Sequence, residues 1–123
     1  MQFDTSAVTL ETLRVAVEHT LKDAKHTLDA FAEDFAKDPV HALDWGQDVF
    51  RAAAIQETFG HVHRVLLNST DEQNVLQLVA KMAYQELLRT SRVQQSTSTS
   101  TNEMQRWRAE AWNRVLRLFE RGF

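Results

Sequence analysis

The chain has 123 residues, a net charge of −3 and no cysteine. The lack of cysteine excludes disulfides, thiolate metal ligands and thiol catalysis, and it fits a reducing cytoplasm. The acidic balance argues against nucleic-acid binding by the chain as a whole. The first ten residues lack the basic flank and apolar run of a secretory signal, and no segment approaches the roughly 20 apolar residues that span a bilayer. We therefore expect a cytoplasmic protein without a transmembrane segment.

Residues that stop helices are nearly absent from this sequence. It contains a single proline, Pro39, and three glycines, Gly46, Gly60 and Gly122. Hydrophobic residues make up 43% of the chain and recur at spacings of three and four. This period is typical of helices with one buried face. The sequence therefore predicts an all-α fold, an antiparallel bundle of three long helices with a further C-terminal helix.

The first helix is predicted from Thr9, which can cap it, to Lys37. A proline disfavours the helical conformation in the residue before it, so the first helix is expected to end before Asp38, which precedes Pro39. Asp38 can also cap a second helix with Pro39 in its first position. The apolar stripe of the first helix is long and narrow, as expected of a surface that another helix covers. It comprises Leu10, Leu13, Val17, Leu21, Ala24, Leu28, Phe31 and Phe35.

The second helical element is predicted over residues 39–67, and Gly46 is a possible point of division. Asp44 and Gln47 have the spacing of a capping box, which suggests a short turn before the main helix. Asn68 is a suitable stop. The expected buried stripe is Trp45, Val49, Ala52, Ile55, Phe59, Val62 and Leu66.

The third helix is predicted to begin at an S-x-x-E capping box formed by Ser69 and Glu72. Its hydrophobic pattern fades after Val93. Its inner face is expected to contain Leu76, Val79, Ala80, Ala83 and Leu87.

Residues 94–101 read Q-Q-S-T-S-T-S-T, a composition that competes with helix formation. We interpret this segment as a flexible linker, with an irregular ordered loop as the alternative. The last helix is then expected from about Glu103 to Arg121, with Gly122 as its C-terminal glycine. The resulting organisation is a single domain with a bundle core (1–93), a linker (94–101) and a C-terminal amphipathic helix (102–123).

Two histidine groups are the candidate metal ligands. His19, Asp23 and His26 lie on one side of the first helix, and Asp23-x-x-His26 resembles half of a di-metal helix motif. That side faces away from the apolar stripe, which favours solvated side chains over an inward-pointing site. Glu57 and His61, four residues apart, form the second group, again with a surface role favoured. We therefore expect no metal and keep a small helical-bundle metalloprotein as an alternative.

No motif in the sequence identifies a reaction. There is no glycine-rich phosphate loop, and no serine stands in the sharp turn that a nucleophile requires. The acidic residues lie at positions that we expect to be solvated helix faces, and the sequence indicates no environment that would shift the pKa of their carboxyl groups. We expect neither enzymatic activity nor a cofactor.

The last helix is the best candidate for an interaction surface. Residues 102–123 carry five arginines and three glutamates, a net +2, whereas residues 1–101 carry nine basic and fourteen acidic residues, a net −5. Such a basic helix bearing tryptophans can be a fourth bundle helix or an arm that docks on a partner. In the second case the protein is a regulatory subunit or inhibitor, and Trp112→Ala abolishes capture without changing helicity. The candidate interaction residues are Trp107, Trp112, Leu116, Phe119, Arg106, Arg114 and Arg117.

Residues 69–78 read S-T-D-E-Q-N-V-L-Q-L, and Ala80, Ala83 and Leu87 follow at helical spacing. This stretch, within residues 69–88, resembles the mid-region of phasins, which coat polyhydroxyalkanoate granules. The resemblance implies a non-enzymatic, oligomeric protein whose apolar stripes bind either each other or the polymer. The chain's three tryptophans, the five arginines of its last helix and the lack of a Lys/Ala-rich tail depart from that family's pattern.

Taken together, the sequence predicts a non-enzymatic interaction or scaffold protein that binds through apolar helix faces. The stripe of the first helix is longer than a small monomer needs, so we expect a homo-oligomer. A protein partner or a hydrophobic granule surface is the expected target.

Overall fold

A computed structural model describes residues 3–92 and 99–121 of the chain, with side chains for residues 3–90 and 102–120. Within these two ranges every regular element is helical, which confirms the all-α fold. No helix there is long and apolar enough to cross a membrane. The elements are α1 (Leu10–Lys37), α2 (Pro39–Ala42), a 3-10 turn (Leu43–Trp45), α3 (Gly46–Leu67), α4 (Glu72–Arg92) and α5 (Thr99–Arg121).

The bounds of α1 are those predicted, because both of its ends carry strong local signals. Thr9 is the N-cap, and its hydroxyl accepts the backbone N–H of Thr12 at 3.1 Å. The hydroxyl of Thr12 accepts the backbone N–H of Thr9 in return, at 3.0 Å. At the other end Asp38 is extended and caps α2, accepting the backbone N–H of His41 at 3.2 Å.

The second element is divided as the sequence suggested. The predicted capping box of Asp44 and Gln47 is wrong, however, since no side chain caps α3. The residue before α3, Trp45, is itself helical, with φ −73° and ψ −20°. A capping side chain needs an extended residue at that position, and the continuous 3-10 turn does not provide one. Asn68 follows the end of α3 as predicted.

The start of α4 also differs from the prediction. The capping box of Ser69 and Glu72 is not formed, because Glu72 is already the first helical residue. Asp71 caps the helix instead, and its carboxylate accepts the backbone N–H of Asn74 at 3.2 Å. The carboxylate of Glu72 accepts the backbone N–H of Leu10, at 2.8 Å. Glu72 therefore serves the first turn of α1 rather than that of its own helix.

The last helix begins earlier than predicted. α5 starts at Thr99, so residues 99–101 of the expected linker are helical, whereas residues 94–98 and Gly122 lie outside the described residues. Serine and threonine are only weak helix formers, and tertiary packing readily overrides so small a preference. α5 packs against both α3 and α4.

The order in which the helices pack differs from their order in the chain. α1 packs along α3, α3 along α5, and α5 along α4, whereas the consecutive helices α3 and α4 scarcely touch. Each of the four long helices contributes buried residues to one core. These are Leu13, Val17 and Ala24 of α1, Ala52, Ile55, Phe59, Val62 and Leu66 of α3, Val75, Leu76, Val79, Ala80 and Ala83 of α4, and Ala111, Trp112, Val115 and Phe119 of α5.

Two polar contacts give the relative direction of α1 and α3. Glu18, early in α1, lies 3.4 Å from the ring of His63, late in α3. Asp34, late in α1, accepts the indole N–H of Trp45, just before α3, at 2.9 Å. The two helices therefore run in opposite directions.

The segment before α1 attaches the other side of the molecule. The backbone N–H of Phe3 donates to the side chain of Gln77 in α4 at 3.0 Å, and the Gln77 amide donates to the Phe3 carbonyl at 2.6 Å. The ring of Phe3 also lies 5.7 Å from that of Tyr84. α4 is thus bound both by this segment and by α5.

Candidate binding groove between α3 and α4

A groove lies between α3 and α4 because these helices diverge, and α5, which packs against both, forms its floor. The groove encloses about 470 Å³. A second recess of about 460 Å³ at the turn between α3 and α4 shares His61 and Arg64 with it and adds Val65 and Leu78. We call the two together the α3–α4 groove. Its ionisable wall residues are Glu57, His61, Arg64, Glu86, Arg89 and Arg108.

Both glutamates of the groove are already paired. The guanidinium of Arg108 donates to Glu57 at 3.1 Å, and that of Arg89 donates twice to Glu86, at 2.9 and 2.6 Å. The bonds to Glu86 raise the pKa of Arg89. Arg64 is exposed and has no ion pair or hydrogen bond with a described residue. Among the residues that the structure describes, the groove therefore presents one cation, Arg64, without a counter-charge.

The floor of the groove is aromatic and carries a free acceptor. Trp112 is only 7% exposed, and its ring meets the ring of His61 edge-on at 6.4 Å. Gln105 also lines the groove, and its side-chain oxygen is buried and accepts no hydrogen bond within the described part of the chain. Buried acceptors are usually satisfied, so this oxygen can take a donor from a ligand.

The histidine groups are not assembled into a metal centre. His19 lies 3.5 Å from Asp23, but both are largely exposed, and so is His26. Across residues 3–90 and 102–120, no three acidic or histidine side chains converge as metal ligands do. Glu57 and His61 share the α3–α4 groove, where they contact Arg108 and Trp112 respectively.

The structure separates the candidate interaction residues of α5 into buried and accessible groups. Trp112 and Phe119 are buried in the core, and Leu116 packs against it. The face that contains them is therefore covered by the chain's own helices. This placement supports the fourth-bundle-helix alternative, and Trp112→Ala would open the core rather than leave helicity unchanged.

Trp107 has a different environment from Trp112. It is half-buried, and the guanidinium groups of Arg51 and Arg106 lie over its ring at 5.8 and 5.0 Å from the centroid. Its indole N–H is buried without an acceptor among the described residues. Two cations on one ring are a favourable cation–π arrangement that fixes this part of α5 against α3.

The remaining two arginines also differ. Arg114 lies over the ring of Phe59 at 5.7 Å from its centroid. Burial, and to a smaller extent the neighbouring charge of Arg51, lowers the pKa of its guanidinium. Arg117 is exposed. Arg114 therefore belongs to the α3–α5 contact, and Arg117 is free to serve as a control position.

Sequence reasoning missed Arg64, Arg89 and Gln105 as groove residues. Nothing in their local pattern distinguishes them from residues of a solvated helix face. Their proximity depends on the divergence of α3 and α4 over α5, which is a tertiary feature. The only usable signal was the polar cluster around Glu57 and His61, which the structure places in the same groove.

Comparison with known proteins identifies no relative of this chain. The chain matches no protein-family model, no curated protein and no solved structure.

Proposed function

We propose that this chain is a non-enzymatic interaction or scaffold protein that binds an acidic, amphipathic helical segment in the α3–α4 groove. The observation that carries the proposal is Arg64, a cation with no ion-pair partner among the described residues, beside an exposed leucine in a recess between two helices. The proposal includes an antiparallel packing of the long helices, which the opposite directions of α1 and α3 support.

The charge of the groove favours an acidic partner. Three arginines and two glutamates line it, and both glutamates are neutralised within the groove. Arginine binds carboxylates through two parallel hydrogen bonds, which gives both affinity and orientation. A partner carboxylate would therefore bind at Arg64, and a basic partner would be repelled.

The apolar residues at the α3–α4 turn favour a helical partner. Leu78 is half exposed and lies in the same recess as Val65, and Trp112 lies further along the floor. Helical ligands present apolar residues at spacings of three and four to grooves of this kind. Each buried apolar side chain contributes about 1.5–3 kcal/mol. The groove thus combines one charge anchor with a short apolar track.

The direct test uses a fluorescent, helix-stabilised peptide with glutamates on one face and leucines at i and i+3. We expect anisotropy to show binding to the full chain, and Arg64→Glu to weaken it at least tenfold. Arg117→Glu, the same charge change at an exposed position of α5, should retain binding. Equal affinity of the Arg64→Glu protein and the wild type would contradict the proposal.

The phasin resemblance predicts a more specific version of this function, in which a scaffold binds a hydrophobic granule. The part of the structure that favours it is the set of exposed apolar side chains, among which Val40 and Leu43 are 78% and 73% exposed. Sedimentation with polyhydroxybutyrate particles tests it. Retention of the protein on the particles would support the granule version, and absence from the pellet would contradict it.

A further inference from the structure

Exposed apolar residues are concentrated at two places on this molecule. Among the described side chains, six large hydrophobic residues are well exposed, and five of them form two groups. The first, which we call the acidic patch, is the surface of residues 33–44, at the end of α1 and in the turns before α3, and its exposed apolar residues are Phe35, Val40 and Leu43. The second, which we call the groove mouth, comprises Arg64 and Leu78 of the recess at the α3–α4 turn, together with Leu67, three residues after Arg64 on α3.

The acidic patch is an amphipathic helical segment held in place. Val40 and Leu43 are three residues apart across α2 and the 3-10 turn, so both project from one side. Residues 33–44 contain four carboxylates and one lysine. Contact of the Phe31 ring with the rings of Phe35 and Trp45, at 5.9 and 6.3 Å, fixes the segment against α1.

The groove mouth has the complementary properties. Leu67 and Leu78 are more than half exposed, and Arg64 carries the charge that no described residue neutralises. Val65 lies in the same recess. The groove mouth therefore offers apolar contact and a cation, where the acidic patch offers apolar contact and carboxylates.

The two surfaces cannot meet within one copy of the chain. They lie at opposite ends of α3, whose 22 residues span about 33 Å at about 1.5 Å per residue. A second copy can bring them together, and such a contact between different surfaces repeats from copy to copy.

We infer that this chain assembles head to tail, with the acidic patch of one copy docked at the groove mouth of the next. Val40 and Leu43 then pack on Leu67 and Leu78, and a carboxylate of the acidic patch binds Arg64. The inference rests on the proposed function, since it names the chain's own acidic helical segment as the groove's ligand.

The test is light-scattering mass on a sizing column over a range of concentrations, with two full-length variants. We expect the wild type to grow beyond the 14.2 kDa of one chain as concentration rises, and to dissociate at high salt. The groove variant Arg64→Glu and the patch variant Val40→Asp/Leu43→Asp should each be monomeric. An equimolar mixture of the two variants should give a heterodimer and nothing larger. The intact patch of the groove variant docks at the intact groove mouth of the patch variant, and the surfaces left over are the two substituted ones.

Matched controls and opposing outcomes make the test decisive. Val15→Asp, at an exposed apolar position of α1 outside both surfaces, should assemble like the wild type, and circular dichroism should show unchanged helicity in every variant. A wild type that stays monomeric, or a mixture of variants that stays monomeric, overturns the inference. Loss of assembly in Val15→Asp overturns it as well.

The peptide experiment separates this inference from the proposed function. The patch variant keeps its groove and should still bind the acidic peptide. If it binds the peptide but the wild type does not self-associate, the proposed function stands and the head-to-tail contact is wrong. If the patch substitutions reduce binding to polyhydroxybutyrate particles while the wild type remains monomeric, the patch contacts polymer and the inference fails.

Discussion

The carboxylate of Glu72 accepts a hydrogen bond from the backbone N–H of Leu10 at 2.8 Å. Leu10 is the first residue of α1, and the N–H groups of a helix's first turn have no partner within the helix. The bond is formed across 62 residues of sequence, by the first residue of α4. The starts of α1 and α4 are therefore joined through a capping interaction made in trans between helices.

Removing this carboxylate should destabilise the protein measurably. We expect Glu72→Ala to lower the free energy of unfolding by about 1 kcal/mol, the usual effect of losing a helix cap, and Glu72→Gln to cost less because its amide oxygen still accepts. Urea denaturation measures both. Gln73→Ala, at the next exposed position, is the control. Equal stability of the Glu72→Ala and Gln73→Ala proteins would show that the bond contributes nothing.

The cap of α4 provides a second test at neighbouring residues. Asp71→Ala should cost about 1 kcal/mol because it leaves the N–H of Asn74 without an acceptor. Ser69→Ala should leave the free energy of unfolding nearly unchanged, since Ser69 does not cap. Urea denaturation measures both. A larger loss of stability for Ser69→Ala than for Asp71→Ala would favour the capping box predicted from the sequence.

The two tryptophans of α5 should respond differently to substitution. Trp112 is buried against α3, so Trp112→Ala should cost about 3–5 kcal/mol and lower the thermal midpoint strongly. Trp107→Phe keeps an aromatic ring beside Arg51 and Arg106 and loses an N–H that has no described acceptor, so its midpoint should stay near the wild type. Thermal melts followed by circular dichroism distinguish them. A Trp112→Ala protein with wild-type stability would contradict the placement of α5 in the core.

The contact of Trp45 with Asp34 should contribute to the α1–α3 pair. Trp45→Phe retains the ring beside Phe31 but removes the indole donor, and we expect a loss of about 1 kcal/mol in the free energy of unfolding. Asp34→Asn, which retains an acceptor oxygen, is the matched variant and should lose less. Identical unfolding curves for Trp45→Phe and wild type would exclude a stabilising role for this bond.

Metal binding is expected to be weak. His19 and Asp23 supply two ligands, whereas structural zinc sites use four. Equilibrium dialysis of untagged protein against zinc should show no stoichiometric site, and His26→Ala should not alter the metal content. Stoichiometric zinc that is lost on His26→Ala would instead favour the metalloprotein alternative.

The parts of the fold that were predictable from the sequence are those fixed by neighbouring residues. Thr9, Asp38 and Pro39 act within one turn, so the ends of α1 follow from local chemistry. Ser69 and Asp71 both have capping side chains, and sequence alone gave no means of choosing between them. The burial of Trp112 depends on which helices cover α5. The α3–α4 groove depends on where helices separate, which the spacing of apolar residues does not encode.

The separation of α3 and α4 also has a consequence for the order of folding. α1 and α3 can pair as soon as both have left the ribosome, because their contacts involve residues 10–67 alone. α4 has little to pack against until α5, its main partner, has been synthesised. Its apolar face, with Val75, Leu76 and Val79 at its centre, stays largely uncovered during that interval. A pause in translation between α4 and α5 would therefore prolong the stage at which this chain is most prone to aggregate.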